Sequence, residues 1–371
     1  MGGKGDGHTM TEEQSHRIAR RAVLRGVAGS ALAAVLAACG TTSPASTPLP
    51  NRDSFARTQV AVSAGFAVST TEATPIRATA PVDLSGHLQT VRGIRFAFLP
   101  SADPQRALSD NAEILAYLRV SLGATMLGLV SSNYATVIDA LNKGTVDIAY
   151  FSPLAYIYAK GPATLVPLIQ GESPDGKIAT SRSFLIVPAA STLNSPADLR
   201  GKTVAFTDQN SLGGYLVPAY SIAKNAGLKV NADYTADFRG TAPAVYAAVM
   251  SGAAAAGAIP FNDFDDGVAK GQINKDALHV IDTSFDYPGS VVAARNSLDP
   301  RDRDVIQSVF LALSNQPQDA KVLSQFVLSP PRGAGDFGGN TVKVRKADDN
   351  VYNNLRDIPR TLGIALESII K

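Results

Sequence analysis

The chain has 371 residues, with 34 Lys and Arg against 32 Asp and Glu, four His, a single Cys and no Trp. A charge so close to balance offers no basic face for nucleic acid, and one Cys forbids an intramolecular disulfide. His8 and His16 lie in the first 38 residues, so His87 and His279 are what remains for a folded domain, and a His-rich metal site is not expected.

The N-terminus reads as an export signal. Arg17, Arg20, Arg21 and Arg25 lead into the apolar run Gly26 to Ala38, "GVAGSALAAVLAA". That run is too short to span a bilayer, which takes ~20 residues, and it follows a basic stretch. The Arg20-Arg21 pair resembles a twin-arginine signal. "LAAC", Leu36 to Cys39, resembles the lipobox of bacterial lipoproteins, which implies that Cys39 is lipidated and becomes the first mature residue. More than one acyl chain then anchors the protein stably outside the membrane. Residues 39–90 are rich in Ser, Thr, Pro and Ala and read as a flexible tether, with "RTQVAVSAGFAV" as a stray strand-like pattern inside it. The leader carries five of the basic and three of the acidic residues, which leaves 29 of each sign in the mature chain.

From Arg92 onward strand-like and helix-like runs alternate, which predicts an α/β fold with largely parallel sheets. "GIRFAFLP" (93–100) is a buried strand, and 103–123 a single amphipathic helix with Leu108, Ile114, Leu115 and Leu118 on its apolar side. "ATMLGLV" is the next strand, "NYATVIDALNKG" the next helix and "TVDIAYF" the strand after it. "SFLIVPA" (183–189) and "KTVAF" (202–206) are further strands. Between them Ser195 caps a short helix with Pro196 at its first position. "VIDALNKGTVDIAYFSPL" (137–154) matches "VYAAVMSGAAAAGAIPFN" (245–262) at an offset of 108, each a helix ended by Gly and followed by a strand and a Pro-containing loop. This suggests two similar lobes, and a mature chain of ~330 residues exceeds the usual size of one core. Ligands of open α/β sheets sit beyond the carboxyl ends of the strands, here "FSP" after one strand and "PFND" after the other.

"TDQNSLGG" (207–214) joins the strand "KTVAF" to the helix "YLVPAYSIAKNAG", which stops at Gly227. A helix N-terminus exposes unpaired N–H groups and attracts anions. Two readings stand. Ser211 caps the helix, with the glycines serving the turn; or Ser211 donates to a ligand while Gly213 and Gly214 admit an anion to the backbone. The loop is neither a P-loop nor a nucleophile elbow.

"TDQNSLGGYLVP" resembles the "DPxSTSGYLVP" loop of phosphonate, phosphite and phosphate-binding proteins of ABC importers. "SNYATVIDALNKGTVDIAYFSPLAYIYA", "SFLIVPAASTLNSPADLRGKTVAF" and "ADDNVYNNLRDIPRTLGI" are similar to further stretches of that family, so the likeness runs from about Gly93 to Leu362. It implies the type II periplasmic-binding-protein fold, two α/β lobes joined by a two-strand hinge, with 91–190 and 288–371 as lobe 1 and 191–287 as lobe 2. It also implies a ligand site of Tyr134, Ser152, Ser183, Ser211, Gly213, Gly214, Tyr215, Thr241 and Asp263. Tyr134 takes the place of an oxyanion-contacting Tyr, Ser183 and Ser211 match family hydroxyls, Thr241 stands where many relatives have His, and Asp263 lies near an amine-gripping acid. The chain departs from the family at Leu212 and Gly213, where two hydroxyls are replaced. Each hydrogen bond to a charged ligand is worth ~1.5–3 kcal/mol, so Arg182, Arg239 and Thr241 are candidate replacements, or the ligand is a larger organophosphorus compound, a sulfonate or a weakly charged solute.

An enzyme is not expected, because no nucleophile motif is present and His279 has no evident partner. The expectation is a monomeric, extracytoplasmic, lipid-anchored binding protein with no cofactor and no metal, delivering a small ligand to an ABC permease and ATPase. The alternative is a sensing or scaffold lipoprotein on the same fold.

Overall fold

The computed structural model describes residues 65–69 and 88–369, apart from 102, 162 and 329–340; the export signal, Cys39, His87 and most of the expected tether lie outside the described residues. The first part of the chain gives β1 (Phe66–Val68), β2 (Gly93–Ala97), α1 (Pro104–Asp110), α2 (Ala112–Leu122), β3 (Thr125–Ser131), α3 (Tyr134–Asn142), β4 (Ile148–Phe151), α4 (Pro153–Lys160) and β5 (Leu165–Glu172). The middle gives β6 (Thr180–Ser181), β7 (Ser183–Pro188), β8 (Thr203–Phe206), α5 (Val217–Ala226), β9 (Thr235–Phe238), α6 (Ala242–Met250), β10 (Ala256–Pro260), α7 (Phe261–Ala269) and β11 (Leu278–Thr283). β12 (Tyr287–Pro288), β13 (Val291–Arg295), α8 (Pro300–Leu313), α9 (Ala320–Leu328), β14 (Lys343–Lys346), α10 (Asn353–Arg356) and α11 (Ile358–Leu362) follow.

A larger sheet runs β1-β3-β2-β4-β13-β5-β14 and a smaller one β11-β7-β10-β8-β9, with β6 and β12 forming a separate two-strand ribbon. Each sheet holds a parallel trio, β3-β2-β4 in one and β10-β8-β9 in the other. The flanking pairs are antiparallel. The expected "largely parallel" sheets are therefore mixed, with four parallel pairs and six antiparallel ones. Period and residue type do not carry strand direction, so the sequence could not give it.

Three further expectations change. The helix expected over 103–123 breaks at Asn111, whose side-chain amide donates to the Ala107 carbonyl and ends α1. An Asn that satisfies the backbone locally competes with helix continuation. Phe66–Val68, inside the expected tether, pairs antiparallel with β3 as the edge strand. Ser183–Pro188, assigned to lobe 1 by sequence, pairs with β10 and β11 and so belongs to the smaller sheet. The chain changes sheets at the β6–β12 ribbon, where Ser181 pairs with Tyr287 and Thr180 with Pro288. Two-residue strands carry no periodic signal, so this crossover is invisible in sequence.

Two features hold the larger sheet in shape. Ile148–Phe151 and Val291–Ala294 are buried on both faces, as strands covered by helices on both sides must be. Asp147, at the amino end of β4, is buried and takes the guanidinium of Arg95 at 2.8 Å and that of Arg295 at 2.9 Å, pinning β2, β4 and β13 at the ends opposite the site. One hydrophobic cluster then runs from Phe151 and Tyr156 through Phe206 and Tyr287 to Tyr352, Leu355 and Ile358, so the two lobes and the C-terminal segment share a core.

Candidate functional site

At the carboxyl end of β3, Asn133 caps α3 by accepting the Thr136 N–H at 2.9 Å. This places Tyr134 at the first position of the helix. Its ring stacks on Phe151 at 6.1 Å between centroids, and its hydroxyl oxygen accepts the Ser152 N–H at 3.2 Å. Burial pushes the tyrosyl pKa up to about 12, although hydrogen bonds from Ser152 oppose the shift. The phenol is therefore a neutral donor at any physiological pH. Ser152 follows β4 and precedes Pro153, yet its hydroxyl makes no capping bond to α4. The first N–H groups of α4 thus lack a side-chain acceptor, the condition in which a helix mouth takes up an anion. Tyr134 and Ser152 are brought together as the sequence led us to expect.

The smaller lobe arranges its groups differently. The turn after β8 opens with Ser211, whose hydroxyl accepts the Gly214 N–H at 3.0 Å, and continues as a single π turn over Leu212–Leu216 before α5. The capping reading of Ser211 is thus realised, and the hydroxyl keeps its own proton for a further acceptor. The glycines are there for a different reason from the one expected. Neither has a positive φ. A Cβ on Gly214 would lie 1.7 Å from the Thr207 hydroxyl oxygen, and a Cβ on Gly213 would lie 2.2 Å from the Tyr287 hydroxyl oxygen. Protein hydroxyls therefore stand where a side chain on either glycine would go.

Ser183 is spent in the same packing. It is buried, its hydroxyl donates to the Gly213 carbonyl at 2.6 Å and lies 3.4 Å from that of Tyr287, and its N–H donates to Ser284. Tyr215 turns into an aromatic cluster, edge-on to Phe206 and Phe238 at 5.0 Å from each. Thr241 caps α6 through the Ala244 N–H at 3.4 Å and is exposed, which is the ordinary reading of a Thr at that position. Its neighbour Gly240 donates to the Thr207 carbonyl, so the β8 and β9 loops lie side by side. Asp263 is exposed in the first turn of α7, not at its cap, which is Pro260. Ser183 and Tyr215 thus make contacts within the protein that a family pattern, which matches positions, does not report.

The candidate replacement cations are engaged elsewhere. Arg182 pairs with Asp286 at 3.1 Å, both exposed, and exposed Arg239 pairs with half-buried Asp237. The candidate residues thus offer uncharged donors, the hydroxyls of Tyr134, Ser152 and Ser211, while at the smaller lobe's turn the Gly214, Tyr215 and Leu216 N–H groups are already bonded to Ser211. Sequence reasoning missed Thr207 and Tyr287. A Thr just past a strand and a Tyr in a two-residue ribbon give no motif, and only the missing Cβ atoms opposite them could have pointed there. Among the described residues no cluster of three or more His, Cys, Asp or Glu could hold a metal, and no helix is long and apolar enough to cross a membrane.

Comparison with known proteins places the chain in one family. The sequence profile described as "ABC transporter, phosphonate, periplasmic substrate-binding protein" matches residues 96–334, more than half of the chain. The phosphate-import protein PhnD of Mycolicibacterium smegmatis is 26% identical over 244 residues, covering 62% of this chain and 73% of that protein. Among solved structures, a Xanthomonas citri protein bound to ATP superposes with a TM-score of 0.58 at 17% identity, over 76% of this chain and all of that one. PhnD1 of Prochlorococcus marinus in complex with methylphosphonate gives 0.52 at 20% identity, over 74% and 99%. At such identities the structural matches establish the two-lobed fold.

Proposed function

Because the chain belongs to the family of periplasmic substrate-binding proteins of phosphonate ABC transporters, we propose that it captures its ligand's oxyanion between two sets of uncharged donors, one on each lobe. These are Tyr134 and Ser152 on the larger lobe and the Thr207–Ser211 loop on the smaller. The protein is an importer component, not an enzyme; it binds a small phosphonate-type ligand and works with a permease and an ATPase. The observation that carries the reading of its site is the Tyr134–Ser152 pair, a neutral phenol beside a serine that leaves its helix uncapped. Such a mouth binds an anion through oriented N–H and O–H donors without a counter-charge. Ligand contact with both lobes would favour the closed form by its differential affinity for it. The ligands named for the three relatives, phosphate, ATP and methylphosphonate, all carry a tetrahedral phosphorus oxyanion, which supports that group as the common element here.

A ligand-dependent melt tests this. Phosphate, phosphite, methylphosphonate and 2-aminoethylphosphonate are compared with sulfate, taurine and uncharged solutes. Ligand at 100 times its Kd adds ~2.7 kcal/mol to stability. A shift with a phosphorus oxyanion is expected. A shift with taurine alone would mean that Leu212 and Gly213, in place of family hydroxyls, mark a sulfonate carrier. The proposal further includes a lipid anchor at Cys39 and a monomeric state. Cys39→Ser should move the expressed protein from the detergent phase to the aqueous phase, and an unchanged partition would remove the anchor from the account.

A further inference from the structure

The two helices that open at the proposed ligand walls carry the same pair at the same place. Tyr156 and Lys160 stand four and eight residues after Ser152, the cap of α4; Tyr220 and Lys224 stand four and eight after Leu216, the cap of α5. Each pair closes on one aspartate of the C-terminal segment. Asp349 accepts the Tyr156 hydroxyl at 2.8 Å and the Lys160 ammonium at 2.6 Å. Asp357 accepts the Tyr220 hydroxyl at 3.1 Å and the Lys224 ammonium at 2.8 Å. In both, the ammonium lies over the face of its own tyrosine, 5.6 and 5.3 Å from the ring centroid. An arginine completes each group, Arg356 on Asp349 and Arg360 on Asp357.

The chain between the two aspartates is rigidly seated. Tyr352, Leu355 and Ile358 have no solvent exposure, and the Tyr352 hydroxyl donates to the Gly289 carbonyl at 3.0 Å, one residue past the β12 ribbon strand. An isolated surface ion pair contributes little to stability. Here each carboxylate gathers a phenol, an ammonium and a guanidinium, and both sit at the ends of one buried lever.

We infer that Asp349 and Asp357 are positioning residues, and that segment 349–361 is a strut coupling the two ligand-bearing helices, so that loss of either aspartate loosens both ligand walls. Its bearing on affinity rests on the reading of Ser152 and Ser211 as those walls; the coupling itself is independent of any ligand. Neither aspartate needs to touch the ligand. Through the strut, tightening of one helix mouth is felt at the other.

The test is hydrogen–deuterium exchange, read by mass spectrometry, on the full chain without ligand. Asp349→Asn and Asp357→Asn are each expected to raise exchange several-fold in both α4 and the Leu212–Ala226 stretch, with α8 unchanged. A rise confined to the helix touching the altered aspartate would overturn the coupling, and so would a rise that includes α8, which reports general loosening. Lys224→Met removes one donor and keeps the carboxylate. It should give the same two-helix pattern at smaller amplitude, and it keeps the test decisive if an aspartate variant fails to fold. Titration with methylphosphonate is the second arm, where Asp357→Asn should weaken binding several-fold. If the unaltered chain takes no methylphosphonate, the ligand assignment fails, while the exchange pattern still decides the strut.

Discussion

The two lobes contain the same structural unit 108 residues apart and use it for different ends. In the larger lobe Asn133 caps α3, Gly144 turns the chain at φ +68°, and β4 runs to Ser152 at the start of α4. In the smaller lobe Thr241 caps α6, Gly252 turns the chain at φ +76°, and β10 runs to Pro260 at the start of α7. Position 134 is Tyr in one unit, and its counterpart 242 is Ala in the other. Position 152 is Ser, and its counterpart 260 is Pro. The phenol-to-amide contact of the larger lobe thus has neither its acceptor nor its donor in the smaller. In the smaller lobe the groups proposed to meet the ligand lie one strand over, at Thr207 and Ser211 beyond β8. A repeated frame fixes where a site can be; side chains decide whether one is there.

The comparison can be broken most severely at Gly214. Alanine there places a Cβ 1.7 Å from the Thr207 hydroxyl oxygen. Overpacking of this kind costs ~1–3 kcal/mol and displaces the loop, so a clearly lowered melting temperature is expected together with loss of ligand binding. A variant as stable as the parent would show that Thr207 and Gly214 do not pack as described.

Two serines sharpen the contrast. Ser183→Ala leaves the Gly213 carbonyl without its buried donor, and the expected cost is ~1–3 kcal/mol of stability. Ser152→Ala removes no capping bond, so its melting temperature should stay close to the parent's while its affinity for methylphosphonate falls. Equal effects on stability would erase the distinction between a supporting and a ligand-facing hydroxyl.

Tyr134 gives a smaller effect with a pH signature. Its folded-state pKa is raised to about 12 from an ordinary value of 10, first by burial. The neutral phenol is favoured in the folded state, so its contribution to stability is complete below pH 10 and is lost as pH rises through 12. Melts between pH 9 and 12 should show a smaller loss in Tyr134→Phe than in the parent, the remainder coming from other buried tyrosines such as Tyr117. The same slope in both would assign the transition to another group. At low pH the smallest effect is expected. The Lys224 and Arg360 hydrogen bonds hold the Asp357 carboxyl well below the usual carboxylate range, so its share of stability is present above pH ~4 and lost as pH falls below it. Asp357→Asn should flatten that part of the curve.

Much of this was legible in the residues, for stated reasons. The Ser195 cap with Pro196, the Gly227 stop of α5 and the doubled helix–Gly–strand unit are local, and local rules place them. Tyr134 with Ser152 followed from resemblance and from the rule that strands deliver ligand loops at their carboxyl ends. What escaped depends on contacts between distant residues. The crossover at β6–β12 is two residues wide. Ser183 turned out to be a donor to Gly213, thirty positions away. Gly213 and Gly214 are explained by Tyr287 and Thr207, which no spacing within the loop could name. Asp349 and Asp357 are ordinary acids in sequence, and only the fold sets each against a Tyr and a Lys of a site helix.

The central claim is that uncharged groups from both lobes hold one oxyanion. Calorimetric titration of methylphosphonate into the parent, Tyr134→Phe and Ser211→Ala tests it most directly. Each lost hydrogen bond to a charged ligand is worth ~1.5–3 kcal/mol, so each variant should bind roughly tenfold or more weakly than the parent. Unchanged affinity in either variant would remove that lobe's donors from the site and contradict the account.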